Sequence, residues 1–146
     1  MSAKVFVDTN ILVYARDTSE ANKQTQSLQW LTVLWQQRSG AISYQTLNEY
    51  YVIVTQRLKP GLSRSEAQHD IRNLLLWNPL PVDRVVIENA WLIQERQGFS
   101  WWDSLILSAA QIQDCDYLLS EDMQHRQTIG RLQIINPFLS DISILA

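Results

Sequence analysis

Asp8, Glu49, Asp103 and the pair Glu121-Asp122 are the residues of this chain whose type and placing could do chemistry. Asp8 sits between the apolar Val5-Phe6-Val7 and Ile11-Leu12-Val13. A carboxylate between two segments that bury is costly unless something satisfies it. Converging carboxylates also repel and raise one another's pKa, so an ionised cluster is stable only with cations among its oxygens. Hard oxygen ligands suit Mg²⁺ or Mn²⁺. There is neither a zinc-spaced histidine pair nor a calcium loop of alternating ligands. Such a site suits hydrolysis at phosphorus, in which one or two metal ions activate water, orient the phosphodiester and shield the leaving oxygen.

Each acid taken alone has a plainer reading. Asp8 can cap the helix behind it, and Thr46-x-x-Glu49 and Ser100-x-x-Asp103 both match capping-box spacing. A cap is worth about 1 kcal/mol. Capping does not explain why acids recur where strands end and helices begin. The set favours a site.

The elements that must position these acids read as short strands separated by helices. Lys4–Asp8 is a buried strand, followed at once by a helix over Thr9–Ala15. Glu20–Arg38 is a longer helix with Leu28, Leu31, Leu34 and Trp35 near one face and Gly40 as its stop. Ala41–Ser43 is a second strand and Thr46–Leu58 a helix, with Glu49 in its first turn and Lys59-Pro60-Gly61 closing it. Ser63-Arg64-Ser65-Glu66 is a capping box that starts a helix running to about Trp77. Asn78-Pro79-Leu80-Pro81 feeds a strand near Val82, and Asp83 caps a helix ending at Gly98. Ser100 opens another, to about Asp114. Asp116–Ser120 and Leu132–Ile135 are the last strands.

Brief apolar strands alternating with helices predict one three-layer α/β/α sandwich around a short, mainly parallel sheet. In open parallel sheets, ligands bind beyond the carboxyl ends of the strands. That is the edge to which these acids belong.

The 146 residues suit a single domain, 1–146, and 46% hydrophobic content supports a real core. A net charge of −3 argues against a broad electrostatic footprint on nucleic acid. It leaves open an enzyme that reaches phosphates through bound cations. Cys115 is the only cysteine, which fits a reducing cytoplasm and a buried apolar role. Neither a secretory leader nor a membrane span is expected.

VFVDTNILVYA, ISYQTLNEYYVIVTQRL, GFSWWDSLILSAA and YLLSEDMQH, in that order and spacing, resemble the PIN-domain nucleases, and among them the VapC-type toxins of bacterial toxin–antitoxin pairs. The resemblance runs from Lys4 to about Phe138. It implies a metal-dependent endoribonuclease that binds one or two Mg²⁺ or Mn²⁺ ions, forms a homodimer and is inhibited by a cognate antitoxin. By position, Asp8, Glu49 and Asp103 match the family's first three acids. A hydroxyl residue two places before the fourth selects Asp122 over its neighbour Glu121. Ser120 is that hydroxyl residue, and Thr9 and Asn10 match the polar residues that accompany the first acid.

Arg16, Arg57, Arg126 and Arg131 are the candidates for a local RNA-gripping patch, each equally readable as a solvated cation. His125 reads as a neighbour of the site rather than a base, and His69 as surface. Trp30, Trp35, Trp77 and Trp91 read as core or interface. Trp101 and Trp102 could stack on a base, but are expected to pack the helix start. Two rival functions remain at this point. An aspartyl-nucleophile phosphatase would use Asp8, but it wants an acid where Asn10 stands. A catalytically inactive PIN-like binding module would have no need of the acids.

Overall fold

The computed structural model describes residues 2–146. Its frame is a five-stranded sheet in the order β2-β1-β3-β5-β4. The strands are β1 (Val5–Val7), β2 (Gly40–Ala41), β3 (Tyr117–Leu119), β4 (Thr128–Ile129) and β5 (Leu132–Ile135). β1 pairs in parallel with β2 and β3, and β3 in parallel with β5. Only β4 runs antiparallel, against β5. The helices are α1 (Thr9–Tyr14), α2 (Ala21–Gln37), α3 (Tyr44–Val52), α4 (Arg64–Leu74), α5 (Arg84–Gln97) and α6 (Trp101–Ile112).

Side-chain alternation along β1 divides the core in two. Val5 and Val7 face one layer, with Leu34, Leu47 and Leu119. Phe6 faces the other, with Ala90, Leu107 and Leu118 from α5, α6 and β3. All three β1 side chains are fully buried, as strands covered by helices on both faces must be.

Several local expectations give way to stronger constraints. α2 ends at Arg38 as expected, but the residue that stops it is Arg38 itself, left-handed at φ 54°, and not Gly40. Gly40 instead lies in β2 against the Trp77 ring, where a Cβ would come within 2.5 Å of ring carbons. The strand expected near Val82 is absent. Its place is taken by a single parallel bridge, Ser43 to Leu80, because Pro79 and Pro81 remove the donors that would extend a ladder. α3 starts at Tyr44, so Thr46 is buried inside it and caps nothing, and Glu49 lies in its second turn. β4 was not expected. Ile129 and Leu132 pair across a two-residue loop whose Gly130 has φ 62°, a tight-hairpin signature.

The other helix starts follow their sequence signals. Ser63 and Glu66 form a reciprocal capping box on α4. Asp83 accepts from Val86 N, and Gly98 ends α5 at φ 74°.

Candidate active site

α1 begins directly after β1, which places Asp8 at the junction as its N-cap. Asp8 Oδ1 accepts from Thr9 N at 2.8 Å, and its Oδ2 accepts from Ser120 Oγ at 2.8 Å. Ser120 follows β3, the strand beside β1, so two neighbouring strand ends meet at this carboxylate. The next two residues of α1 each hold a further acid. Thr9 Oγ1 donates to Glu49 Oε1 at 2.7 Å, and Asn10 Nδ2 donates to Asp122 Oδ2 at 2.8 Å. Asp103 comes from the first turn of α6, where Ser100 Oγ accepts from its backbone N–H at 3.2 Å. Asp8, Glu49, Asp103 and Asp122 all line one open cleft of about 500 Å³, with Thr9 and Asn10 between them.

The cleft is electrostatically unfinished. Asp8 is 8% exposed. Burial pushes its pKa up to about 7, against the pull of the Ser120 and Thr9 hydrogen bonds, and the charges of Glu49 and Asp103 add to the rise. Asp103 is also raised, by burial and then by the Asp122 charge, with the Ser100 contact opposing. Capping alone leaves these raised values unrelieved. Arg57 is the one basic residue lining the cleft among the described residues.

The PIN-domain sequence profile matches residues 5–130. The chain belongs to the PIN-domain family. Solved structures similar to this PIN domain include FitAB bound to a DNA fragment, at TM-score 0.71 and 16% identity over 94% of this chain and 97% of that one. A toxin–antitoxin complex from Klebsiella pneumoniae matches at TM-score 0.60 and 16% identity, over 92% and 98% of the two chains. The sarcin-ricin-loop-cleaving toxin VapC20 of Mycobacterium tuberculosis matches at TM-score 0.60 and 16% identity, over 82% and 90%. Among curated proteins none matches the sequence. Family membership sets the aspartyl-nucleophile phosphatase reading aside.

The remaining expected residues of this PIN domain fall in different places. Glu121 points away from the cleft, accepting from Tyr14 Oη at 2.7 Å and pairing with Lys23 Nζ at 2.7 Å. Of the four arginines only Arg57 reaches the cleft. Arg16 is bound to Asp70 through two hydrogen bonds, beside the apolar groove of α2 and α4. Arg131 occupies the tight β4–β5 turn and pairs with Asp116 at 3.2 Å, at the opposite edge of the sheet. Arg126 is exposed on the loop before β4, outside the cleft lining. His125 Nδ1 accepts from Asn136 N at 2.9 Å, a structural bond.

Trp101 packs against the α5–α6 core, but Trp102 does not pack the helix start. It is 63% exposed and forms part of the cleft wall. Gln45 and Asn48 also line the cleft and were not foreseen. Gln45 lies one helical turn before Glu49 on α3, so the same-face rule gives it away once Glu49 is placed.

The donor set fits a hard divalent cation in type. Among the described residues no three His, Cys, Asp or Glu side chains close on one point as a ready-made cage. Mg²⁺ does not need one, because it keeps several waters and takes one or two carboxylates. Asn10 Oδ1 and Gln45 Oε1 are buried without hydrogen-bond partners, and both residues line the cleft. Two orphaned oxygen acceptors beside four acids match a hydrated cation, whose water supplies donors.

Proposed function

We propose that this PIN domain is a divalent-metal-dependent endoribonuclease and the toxin of a toxin–antitoxin pair. The observation that carries the reading is the buried, raised-pKa Asp8 at the centre of a cleft lined by Glu49, Asp103 and Asp122. Those four acids would hold one or two Mg²⁺ or Mn²⁺ ions. The bound metal supplies water activation and neutralises charge developing on the phosphodiester. The protein's own part is positioning. Ser120 and the α1 amide fix Asp8, Thr9 fixes Glu49, and Asn10 fixes Asp122. The open cleft admits a single strand, with Trp102 offering a stacking face and Arg57 a phosphate contact.

Water entering in line with the P–O3′ bond leaves a 5′-phosphate and a 3′-hydroxyl. Fragments from a defined RNA should therefore join with a ligase that requires those two ends. Cyclic 2′,3′-phosphate ends would contradict the mechanism.

A cytoplasmic location and a cognate antitoxin belong to the same reading. No helix among the described residues is long and apolar enough to cross a membrane. The groove of about 810 Å³ lined by Leu28, Leu31, Trp35, Leu74 and Leu76 supports an apolar protein partner. The antitoxin would also present an Arg or Lys to the acids. A homodimer is supported by Val85 and Leu92, exposed one heptad apart on α5.

A further inference from the structure

Glu121 is a carboxylate next to a candidate ligand, yet it is spent elsewhere. Its Oε1 accepts from Tyr14 Oη and its Oε2 pairs with Lys23 Nζ, both at 2.7 Å. Lys23 also lies over the rings of Tyr14 and Phe138, 4.9 Å and 5.4 Å from their centroids. Tyr14 meets Phe138 edge to face at 5.4 Å. These contacts join α1, α2 and the segment after β5 around one side chain.

The spacing gives this cluster its meaning. Asn10 and Tyr14 are one turn apart on α1, and they grip the consecutive residues Asp122 and Glu121. Ser120, just before them, is fixed to Asp8 and accepts from Asp122 N at 3.3 Å. Three successive residues at the end of β3 are thus each anchored. Glu121 is held on the α2 side of α1 and Asp122 on the cleft side. With Glu121 freed, rotation of this short segment withdraws Asp122 from the cleft.

We propose that Tyr14, Lys23 and Glu121 form a clamp that positions Asp122 in the cleft. They act as positioning residues, without contact to the substrate. This inference rests on the reading of the cleft as a divalent-cation site. Groups that orient metal-binding side chains typically change affinity or activity 10- to 100-fold when lost.

The sign of the effect separates a clamp from a mere nearby charge. Lys23, as a cation alone, would repel a divalent ion, so its removal would tighten binding. As part of a clamp, its removal weakens binding. Tyr14→Phe changes no charge and isolates the geometric part. Mn²⁺ affinity is measured by electron paramagnetic resonance of the free ion, for wild type, Lys23→Met, Tyr14→Phe and the conservative Lys23→Arg. Metal-free melting curves check that each variant is folded.

The expected result is about tenfold weaker Mn²⁺ binding for Lys23→Met and Tyr14→Phe, with recovery in Lys23→Arg. In RNA cleavage at fixed Mn²⁺, kcat should fall while KM for RNA stays unchanged. Wild-type affinity in both Lys23→Met and Tyr14→Phe, or tighter binding in Lys23→Met, overturns the clamp and leaves the nuclease reading standing. A wild-type protein that binds no Mn²⁺ overturns both.

Discussion

Ser120 Oγ donates to Asp8 Oδ2 at 2.8 Å across the junction of two parallel strands. Ser120 is fully buried and Asp8 nearly so. The bond ties the end of β3 to the end of β1 and opposes the rise in Asp8 pKa. A buried hydrogen bond to a charged group contributes about 1.5–3 kcal/mol. Ser120→Ala should therefore lose roughly that much stability at pH 8, measured by urea unfolding. The loss should shrink in acid, where Asp8 is protonated.

Asp8 contributes to the pH dependence of the metal-free protein with a definite sign. Its folded pKa, raised to about 7 chiefly by burial, lies above the unfolded value near 4. The native state therefore holds the extra proton at this group, and the Asp8 contribution to stability falls as pH rises from about 4 to about 7. Above 7 the penalty is complete, at up to about 4 kcal/mol. Without divalent ions, Asp8→Asn should melt above wild type at pH 8, and the gap should close near pH 4. A variant that melts below wild type at pH 8 would show that the Asp8 charge is already compensated.

Asp103 separates a metal site from a set of caps. Its carboxyl is raised by burial and by Asp122. In Asp103→Asn, the metal-free Tm should rise at neutral pH and the Mg²⁺- or Mn²⁺-induced rise should be largely lost, because a ligand stabilises only the state it binds. Ser100 Oγ accepts from the backbone N–H of residue 103, so the helix start survives the substitution. A small loss of stability with no dependence on metal would mark Asp103 as a helix-start residue only.

Trp102 offers a test of the proposed RNA path. It is 63% exposed, so Trp102→Ala should leave the Tm within about a degree of wild type. A base stacked on an aromatic ring is worth about 1–3 kcal/mol, so single-stranded RNA should bind roughly tenfold more weakly to the variant. Fluorescence anisotropy of a labelled oligonucleotide on the Asp8→Asn background reads this without cleavage. Unchanged affinity would remove Trp102 from the RNA path.

The frame of this PIN domain was legible where local signals and burial agree. Val5-Phe6-Val7, the Ser63–Glu66 box and the Asp83–Gly98 helix formed as their patterns dictate. Asp8, Glu49, Asp103 and Asp122 are far apart in sequence, and parallel topology brings them to one cleft. What the sequence could not give was long-range. The end of α2 near Arg38 was legible, but Gly40 is not its stop: it lies in β2 against the Trp77 ring, and Arg38 itself takes the left-handed turn. Arg16 and Arg131 were spent on Asp70 and Asp116, partners invisible until the chain folds. The turn from Ile53 to Arg57 widens into a π-helical turn and brings Ile53 and Arg57 to the cleft wall. No local pattern announces such a turn, although they occur often at functional sites.

The most direct test of the central claim is cleavage of a mixed RNA pool by the purified protein. It is run with Mg²⁺, with Mn²⁺ and with chelator, beside Asp8→Asn prepared identically. The account predicts cutting that requires a divalent ion and disappears in Asp8→Asn. Cutting that persists in chelator, or that Asp8→Asn retains in full, would contradict it.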